Sequence, residues 1–314
     1  MNGSTKLLQR RRIAIAIALT AGLAGCGGGG DGSTEPPNNL VTVSAANQDA
    51  VAHAGAAALG MIGVTNVMPL SATASMSHAL AASGTKRPLT VYPPEVQYCV
   101  LGGSMSLTWD DRNGNRYIDV GDVITTDFNA CANDASGTVN GRAVATITAS
   151  GDMAMSMRMV MTDLSTTSAS HTLTVDGAMA VDVTADAAGT TAAMRMTADG
   201  RLTVTAHTHG FDDTVTLQSG FVQNASFDAT GTSRVIVSGR IESTAMSGAV
   251  DVSTLAELVN TATDAYPSAG TIRLTGKAGK LTLTAAGVSV RMDLDDDDDN
   301  ETEATKSPTW DWLL

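Results

Sequence analysis

The chain has 314 residues, of which 43% are hydrophobic, 4% aromatic and 16% charged, and its net charge is −13. Binding nucleic acid requires a basic face to neutralise phosphates, so this acidic balance argues against that class of partner. The length admits one large or two modest domains with a sizeable core, and the composition is not that of a disordered chain.

Lys6, Arg10, Arg11 and Arg12 form a charged start, an apolar run from Ile13 to about Leu23 follows, and Leu23-Ala24-Gly25-Cys26 closes it. The run is too short to span a bilayer and has the length of a signal-peptide core. This order of segments resembles the lipobox of bacterial lipoproteins, a resemblance that covers the N-terminus alone. It implies cleavage before Cys26, diacylation of the Cys26 thiol, and a membrane partner reached through that lipid. Gly27 stands where the family's inner-membrane retention signal places Asp, which implies the outer membrane. More than one acyl chain makes such anchoring stable. An ordinary signal peptide with an incidental Cys is the alternative. Without residues 1–25 the chain keeps 15 basic and 32 acidic residues, net −17. Residues 27–40, rich in Gly, Pro and Ser, read as a flexible stalk.

From Ser44 to about Gly63 the chain is Ala-rich with scattered Val, Leu, Met and Ile, and a second such stretch runs from Thr73 to Ser83. Ser44 can cap and no proline interrupts before Pro69, so two short helices are expected within a helical segment spanning 41–90. Beyond Pro88 the period changes to two. Thr271–Thr275 alternates, Gly276–Gly279 turns, and Lys280–Thr284 alternates back, which predicts a hairpin. Leu173 with Val175, Val235 with Val237, and Val288, Val290, Met292 and Leu294 repeat the pattern. The expectation for 91–314 is a mainly β domain: an antiparallel meander of roughly a dozen strands, as an open barrel or sandwich. A short helix is expected to interrupt it near Thr254–Val259.

If Cys26 carries lipid, Cys99 and Cys131 remain as an even pair in an oxidising compartment, and a disulfide between them is expected. Between them lies Asp111-Arg112-Asn113-Gly114-Asn115-Arg116-Tyr117-Ile118-Asp119-Val120-Gly121-Asp122. Calcium takes six to eight oxygens, which a twelve-residue loop delivers from positions 1, 3, 5, 7, 9 and 12. Those are Asp111, Asn113, Asn115, the Tyr117 carbonyl, Asp119 and Asp122. The run resembles the calcium loops of EF-hands and, more closely, of dockerins, where Asp ends the loop. Arg116 departs from it at the position of the turn glycine, and Asn115 lowers the ligand charge. A polar hairpin turn without an ion is the competing reading. Its flanks, Ser104–Trp109 and Val123–Phe128, read as strands. In a hairpin the facing residue numbers sum to a constant, and Cys99 with Cys131 and Trp109 with Gly121 both give 230.

Asp293, Asp295 to Asp299, Glu301 and Glu303 crowd eight acids into eleven residues. In one register Asp295, Asp297, Asp299 and Glu303 take loop positions 1, 3, 5 and 9, Asn300 takes the glycine position, and Lys306 spoils position 12. A solvated acidic turn is the alternative. Met153, Met155, Met157, Met159 and Met161 alternate on one face. That face could offer thioethers to Cu(I) or line a lipid-accepting groove, and adaptable core is the commoner use. His207 and His209, with Asp212 and Asp213 nearby, form a zinc fragment that lacks a further ligand, and surface decoration competes with it. Trp310 and Trp312 are expected to dock the chain end on the sheet.

No nucleophile elbow, zincin motif or phosphate loop occurs. The leading expectation is a non-enzymatic envelope lipoprotein, a β-rich structural or binding module with calcium as a structural ion. A carrier of lipid or another apolar ligand in a Met-lined cavity is the second, and an envelope hydrolase the third. The whole arrangement is loosely similar to uncharacterised proteobacterial lipoproteins, a likeness that implies no activity, ligand or protein partner.

Overall fold

A computed structural model describes residues 39–67 and 95–313, apart from 116, 134–136, 169–170, 188–189, 209–210, 262–263 and 265. The expected second helix at Thr73–Ser83, Cys26, Arg116 and His209 lie outside the described residues. The described part of the chain is mainly β. Fifteen strands form one antiparallel sheet in near-sequential order. They are β1 (Glu95–Tyr98), β2 (Gly102–Asp110), β3 (Val123–Ala132), β4 (Thr138–Ser150), β5 (Ala154–Thr167), β6 (His171–Ala185), β7 (Ala192–Thr208) and β8 (Phe211–Leu217). Then follow β9 (Val222–Phe227), β10 (Ser233–Ser243), β11 (Gly248–Asn260), β12 (Ala269–Thr275), β13 (Lys280–Ala286), β14 (Ser289–Asp295) and β15 (Ala304–Lys306). β8 and β9 lie end to end between β7 and β10, each pairing one half of both neighbours. Gly239 sits at that seam, where a Cβ would come within 2.6 Å of Phe221 Cα.

The predicted hairpin forms in the predicted register, with Ile272 opposite Leu283 and Thr275 opposite Lys280. Its inward residues are buried while the intervening threonines are partly exposed, as one-sided burial of an antiparallel sheet requires. Val288 departs from its expected place in that pattern, since it lies in the turn between β13 and β14 and is exposed. The helix expected near Thr254–Val259 is a strand instead. β11 runs through it, paired with β10 on one side and β12 on the other, and two register shifts absorb its irregularity. Paired neighbours on both edges outweigh local helix propensity there.

Helix α1 (Gln48–Val67) starts four residues after Ser44, because Ser44 and Asn47 first close a turn of their own. Every residue from Val51 to Leu59 is buried. A helix on a surface would leave one face in water, so burial all round means the helix lies inside. It meets β6, β7, β8, β10, β12 and β13, which together wrap it. Small side chains let the strands approach: Gly55 faces Leu274, where an added Cβ would sit 2.8 Å from the Leu274 Cδ1. Asn39–Val43 runs along the rim, with Val41 donating to the Ala249 carbonyl and Val43 to that of Ala278.

Helix α2 (Trp310–Leu313) closes the chain. Trp310 is buried, but Trp312 is partly exposed and packs its ring on His53 of α1. Met155, Met157 and Met161 are buried in the same core as Met179 and Met196, and Met153 and Met159 are half-buried.

Candidate functional site

Two Asp/Asn loops lie near opposite edges of the sheet, one between β2 and β3 and the other between β14 and β15. In the first, the strands pair with Trp109 opposite Ile124 and Asp110 opposite Val123. The facing sum is therefore 233 and not the expected 230. The expectation treated Cys99 as part of the strand before the loop, whereas the chain turns at Cys99–Gly102 and β1 forms a separate hairpin with β2. The Cys99–Cys131 disulfide is present, with Cα atoms 5.3 Å apart. It joins that turn to the irregular end of β3, where a Cβ on Gly103 would lie 1.9 Å from the Ala130 carbonyl oxygen.

Within the first loop, Asp111 and Asn113 both accept from the Asn115 amide N–H, and Asn115 Oδ1 accepts from that of Tyr117 at 2.7 Å. Asp119 accepts from the side-chain amides of Asn113, at 2.9 Å to both its oxygens, and of Asn115. Asp122 is fully buried and serves the loop's base. Its carboxylate accepts from Trp109 Nε1 at 3.1 Å, the Arg112 N–H at 3.1 Å and the Asp119 N–H at 3.2 Å. A carboxylate has about four lone-pair sites, so these three bonds leave about one for an ion.

The second loop repeats the ladder. Asp297 accepts from the Asp299 N–H and Asp299 from the Glu301 N–H, the same 5→3 and 7→5 steps as in the first loop. Asp295 accepts from the Asp298 N–H at 2.7 Å and the Asn300 N–H at 3.0 Å, and Glu303 accepts from the Asp296 N–H at 2.8 Å. Asp298 and Asn300 adopt φ of 66° and 69°, which Asp and Asn tolerate better than most residues. The arrangement brings oxygens of Asp295, Asp297, Asp299 and Glu303 within 4.8 Å of one another. These are the four residues that the spacing placed at loop positions 1, 3, 5 and 9.

The residue that sequence reasoning missed is Lys280. Its ammonium reaches Asp295 at 2.7 Å and Asn300 Oδ1 at 3.0 Å. That bond, ahead of the backbone donors, holds the Asp295 carboxyl below its ordinary range. The signal was available, because extending the β13–β14 register places Lys280 opposite Asp295.

The other candidates disperse. His207 Nδ1 pairs with Asp212 at 2.9 Å on the exposed face. Asp213 is buried elsewhere, accepting from Ser243 Oγ, Thr244 Oγ1 and the Ala245 N–H. No protein-family model, curated protein or solved structure matches the chain.

Proposed function

We propose that the chain is a non-enzymatic envelope lipoprotein, acylated at Cys26 and tethered at the outer membrane by residues 27–38, since Asn39 and Leu40 already belong to the folded body. Its body is a β-rich structural or binding module, with calcium as a structural ion at its Asp/Asn loops. The observation that carries this reading is the burial of α1 on every side from Val51 to Leu59: the space that an apolar cargo would need there is filled by the chain's own helix. Two grooves of about 420 and 280 Å³, sharing Thr184, Ala193, Ser226 and Arg234, open on the exposed face of the sheet and not on its interior.

Calcium is favoured by the donor type. Both loops offer only hard oxygens, and the cluster at Asp295, Asp297, Asp299 and Glu303 gathers four carboxylates of which Lys280 balances one. Extracellular modules of this kind bind calcium at about 10⁻⁴–10⁻³ M. An ion bound only by the folded state at ten times its Kd adds about 1.4 kcal/mol. For a folded body of this size that raises the unfolding temperature by roughly 2–3 °C.

Thermal unfolding with calcium, magnesium or chelator tests the ion, on the wild type and on two double variants. Asp297→Asn with Asp299→Asn isolates the second loop, and Asp111→Ala with Asp119→Ala isolates the first. Calcium should protect the wild type more than magnesium does, and one double variant should lose that protection. Equal protection of both variants and the wild type would refute loop binding. Cys26→Ser should abolish palmitate incorporation and release the protein to the soluble fraction, and unchanged labelling would end the lipoprotein reading.

A further inference from the structure

Among the described residues, asparagine precedes glycine at Asn113-Gly114 and at Asn140-Gly141. Such a pair can react within the chain, because glycine has no Cβ to keep its nitrogen away from the asparagine side-chain carbon. Attack requires the Asn ψ to rotate until the next backbone nitrogen faces Cγ. The same dipeptide therefore reacts or persists according to how firmly its backbone is held.

The two pairs are held differently. Asn140 and Gly141 lie inside β4, with Asn140 opposite Ser165 of β5 and Gly141 opposite Phe128 of β3. A Cβ on Gly141 would come within 2.1 Å of the Asp163 carbonyl oxygen, so the neighbouring strand leaves no room for rotation. Asn113 and Gly114 are both exposed in the loop between β2 and β3, and a Cβ on Gly114 would meet nothing within 4 Å. The Gly114 N–H donates to the Asp111 carbonyl at 3.2 Å, at the long end of the hydrogen-bond range. Central strands open only with much of the fold, whereas exposed loops open at little cost. Asn113 Oδ1 accepts the Asn115 N–H at 3.0 Å, a donor that stabilises charge developing on that oxygen. Asn140 Oδ1 likewise accepts the Ala130 N–H at 2.8 Å, so polarisation is common to both and the backbone decides. Asn113 Nδ2 donates to both Asp119 oxygens at 2.9 Å, which places a proton acceptor beside the nitrogen that would leave.

We propose that Asn113 is a site of spontaneous deamidation in the folded chain. The Gly114 nitrogen bonds to Asn113 Cγ, the bond from Cγ to Nδ2 breaks, and Nδ2 leaves as ammonia with the proton that the Gly114 nitrogen gives up. Water then adds to either carbonyl of the resulting succinimide and opens it to aspartate or isoaspartate at position 113. Water is the sole co-reactant, and nothing is oxidised or reduced. Either product replaces an amide that donates to Asp119 by a carboxylate that repels it. The aspartate product gives position 3 of this loop the acid that the second loop already has there in Asp297. The isoaspartate product lengthens the backbone by a carbon and disrupts the 5→3 step of the ladder. The charge of the first loop therefore changes with the age of the molecule, whether or not an ion binds there.

The test is peptide mapping by mass spectrometry of the full chain, aged at neutral pH in heavy-oxygen water, once folded and once unfolded in urea. In the folded chain Asn113 should convert to both aspartate and isoaspartate, each with uptake of a heavy oxygen atom. It should do so at least about tenfold faster than Asn140, because opening β4 adds to the barrier at that position. In urea the two positions should convert at similar rates, since the dipeptide is the same and the strand that protects Asn140 is gone. The proposal is overturned if Asn113 of the folded chain stays an amide over the time in which the unfolded chain converts it. It is overturned equally if Asn140 of the folded chain keeps pace with Asn113. Aspartate without isoaspartate would show direct hydrolysis of the side chain by water, and it too overturns the reaction through Gly114.

Discussion

Gly55 is the position where the packing of α1 is most directly measurable. Replacing Gly by Ala inside a helix ordinarily stabilises by about 1 kcal/mol, because Ala loses less backbone entropy. Here the new Cβ would meet Leu274 Cδ1 at 2.8 Å, Cδ2 at 3.1 Å and Cγ at 3.4 Å. Leu274 is fully buried between Val252 of β11 and Leu281 of β13, so it has no open space to move into. Overpacking of this kind costs about 1–3 kcal/mol. The two effects oppose, and Gly55→Ala should end between neutral and about 2 kcal/mol destabilising. Leu274→Ala alone should cost about 2–5 kcal/mol through the cavity it opens. Together the two should be less costly than their sum by about 0.5–3 kcal/mol, since the methyl occupies space that the leucine vacates. Urea unfolding followed by far-ultraviolet circular dichroism measures all three, provided the m-values agree. If Gly55→Ala stabilises by the full helix-propensity increment and adds to Leu274→Ala without coupling, α1 does not fill the sheet. The structural reading of the protein would then lose its main support.

The Cys99–Cys131 bond closes a loop with a sequence separation of 32. The chain-entropy account gives it about 3–4 kcal/mol, so replacing both residues by Ala should lower the unfolding temperature by on the order of 10 °C in calorimetry; an unchanged transition would refute it. Asp122→Ala should destabilise by at least about 1–3 kcal/mol, because it strands the Trp109 Nε1–H and the Arg112 and Asp119 amides that the buried carboxylate accepts. Denaturant titration checks this, and a loss no greater than that of Asp110→Ala, whose carboxylate is exposed, would count against it. Burial drives the His53 imidazole below its ordinary value of 6.5, against the opposing pull of the Leu313 carbonyl, Asp49 and Asp213. The unfolded chain therefore takes up the proton first on acidification, and the His53 contribution should be constant above pH 6.5 and fall as the pH drops below it. His53→Gln should flatten part of that slope, and His171, lowered by the same desolvation, should keep the rest; an unaltered slope would place the titration elsewhere.

Much of the fold is legible in the sequence where one physical signal acts alone. The Thr271–Thr284 hairpin is read correctly because strict alternation fixes the inward face and the glycines at 276 and 279 fix the turn. α1 is harder. Its Ala-rich, all-round apolar character says that it is buried, but the strands that bury it are scattered from residue 171 to residue 286. Thr254–Val259 misleads for the opposite reason, since its local preference is helical and its strand character comes from partners on both sides. The register of the β2–β3 hairpin misleads because the disulfide leaves the turn before β2, so the sum drawn from Cys99 and Cys131 measures a different connection.

The two acidic loops show how the same logic applies to a site. Their backbone ladders share the 5→3 and 7→5 steps, because the spacing of Asp and Asn at positions 3 and 5 dictates which amide each oxygen can reach, while the position-1 carboxylates accept from different amides. What the spacing does not dictate is how the charge is balanced. In the first loop, asparagine amides turn inward and donate to Asp119, so the loop neutralises itself with its own N–H groups. In the second, aspartates replace both asparagines, and no side-chain amide is available at positions 3 or 5. A single lysine from the neighbouring strand meets Asp295 and leaves Asp297, Asp299 and Glu303 exposed beside it. Similar backbone geometry with uncompensated charge makes the second loop the stronger cation candidate, although the first carries the closer sequence resemblance. It follows that raising ionic strength with a monovalent salt should stabilise the wild type, by screening the second loop, and should have less effect on the Asp297→Asn, Asp299→Asn variant. Calcium should do the same at far lower concentration. If sodium at equal ionic strength reproduced the whole effect of calcium, the loop would be a screened acidic turn and not a binding site.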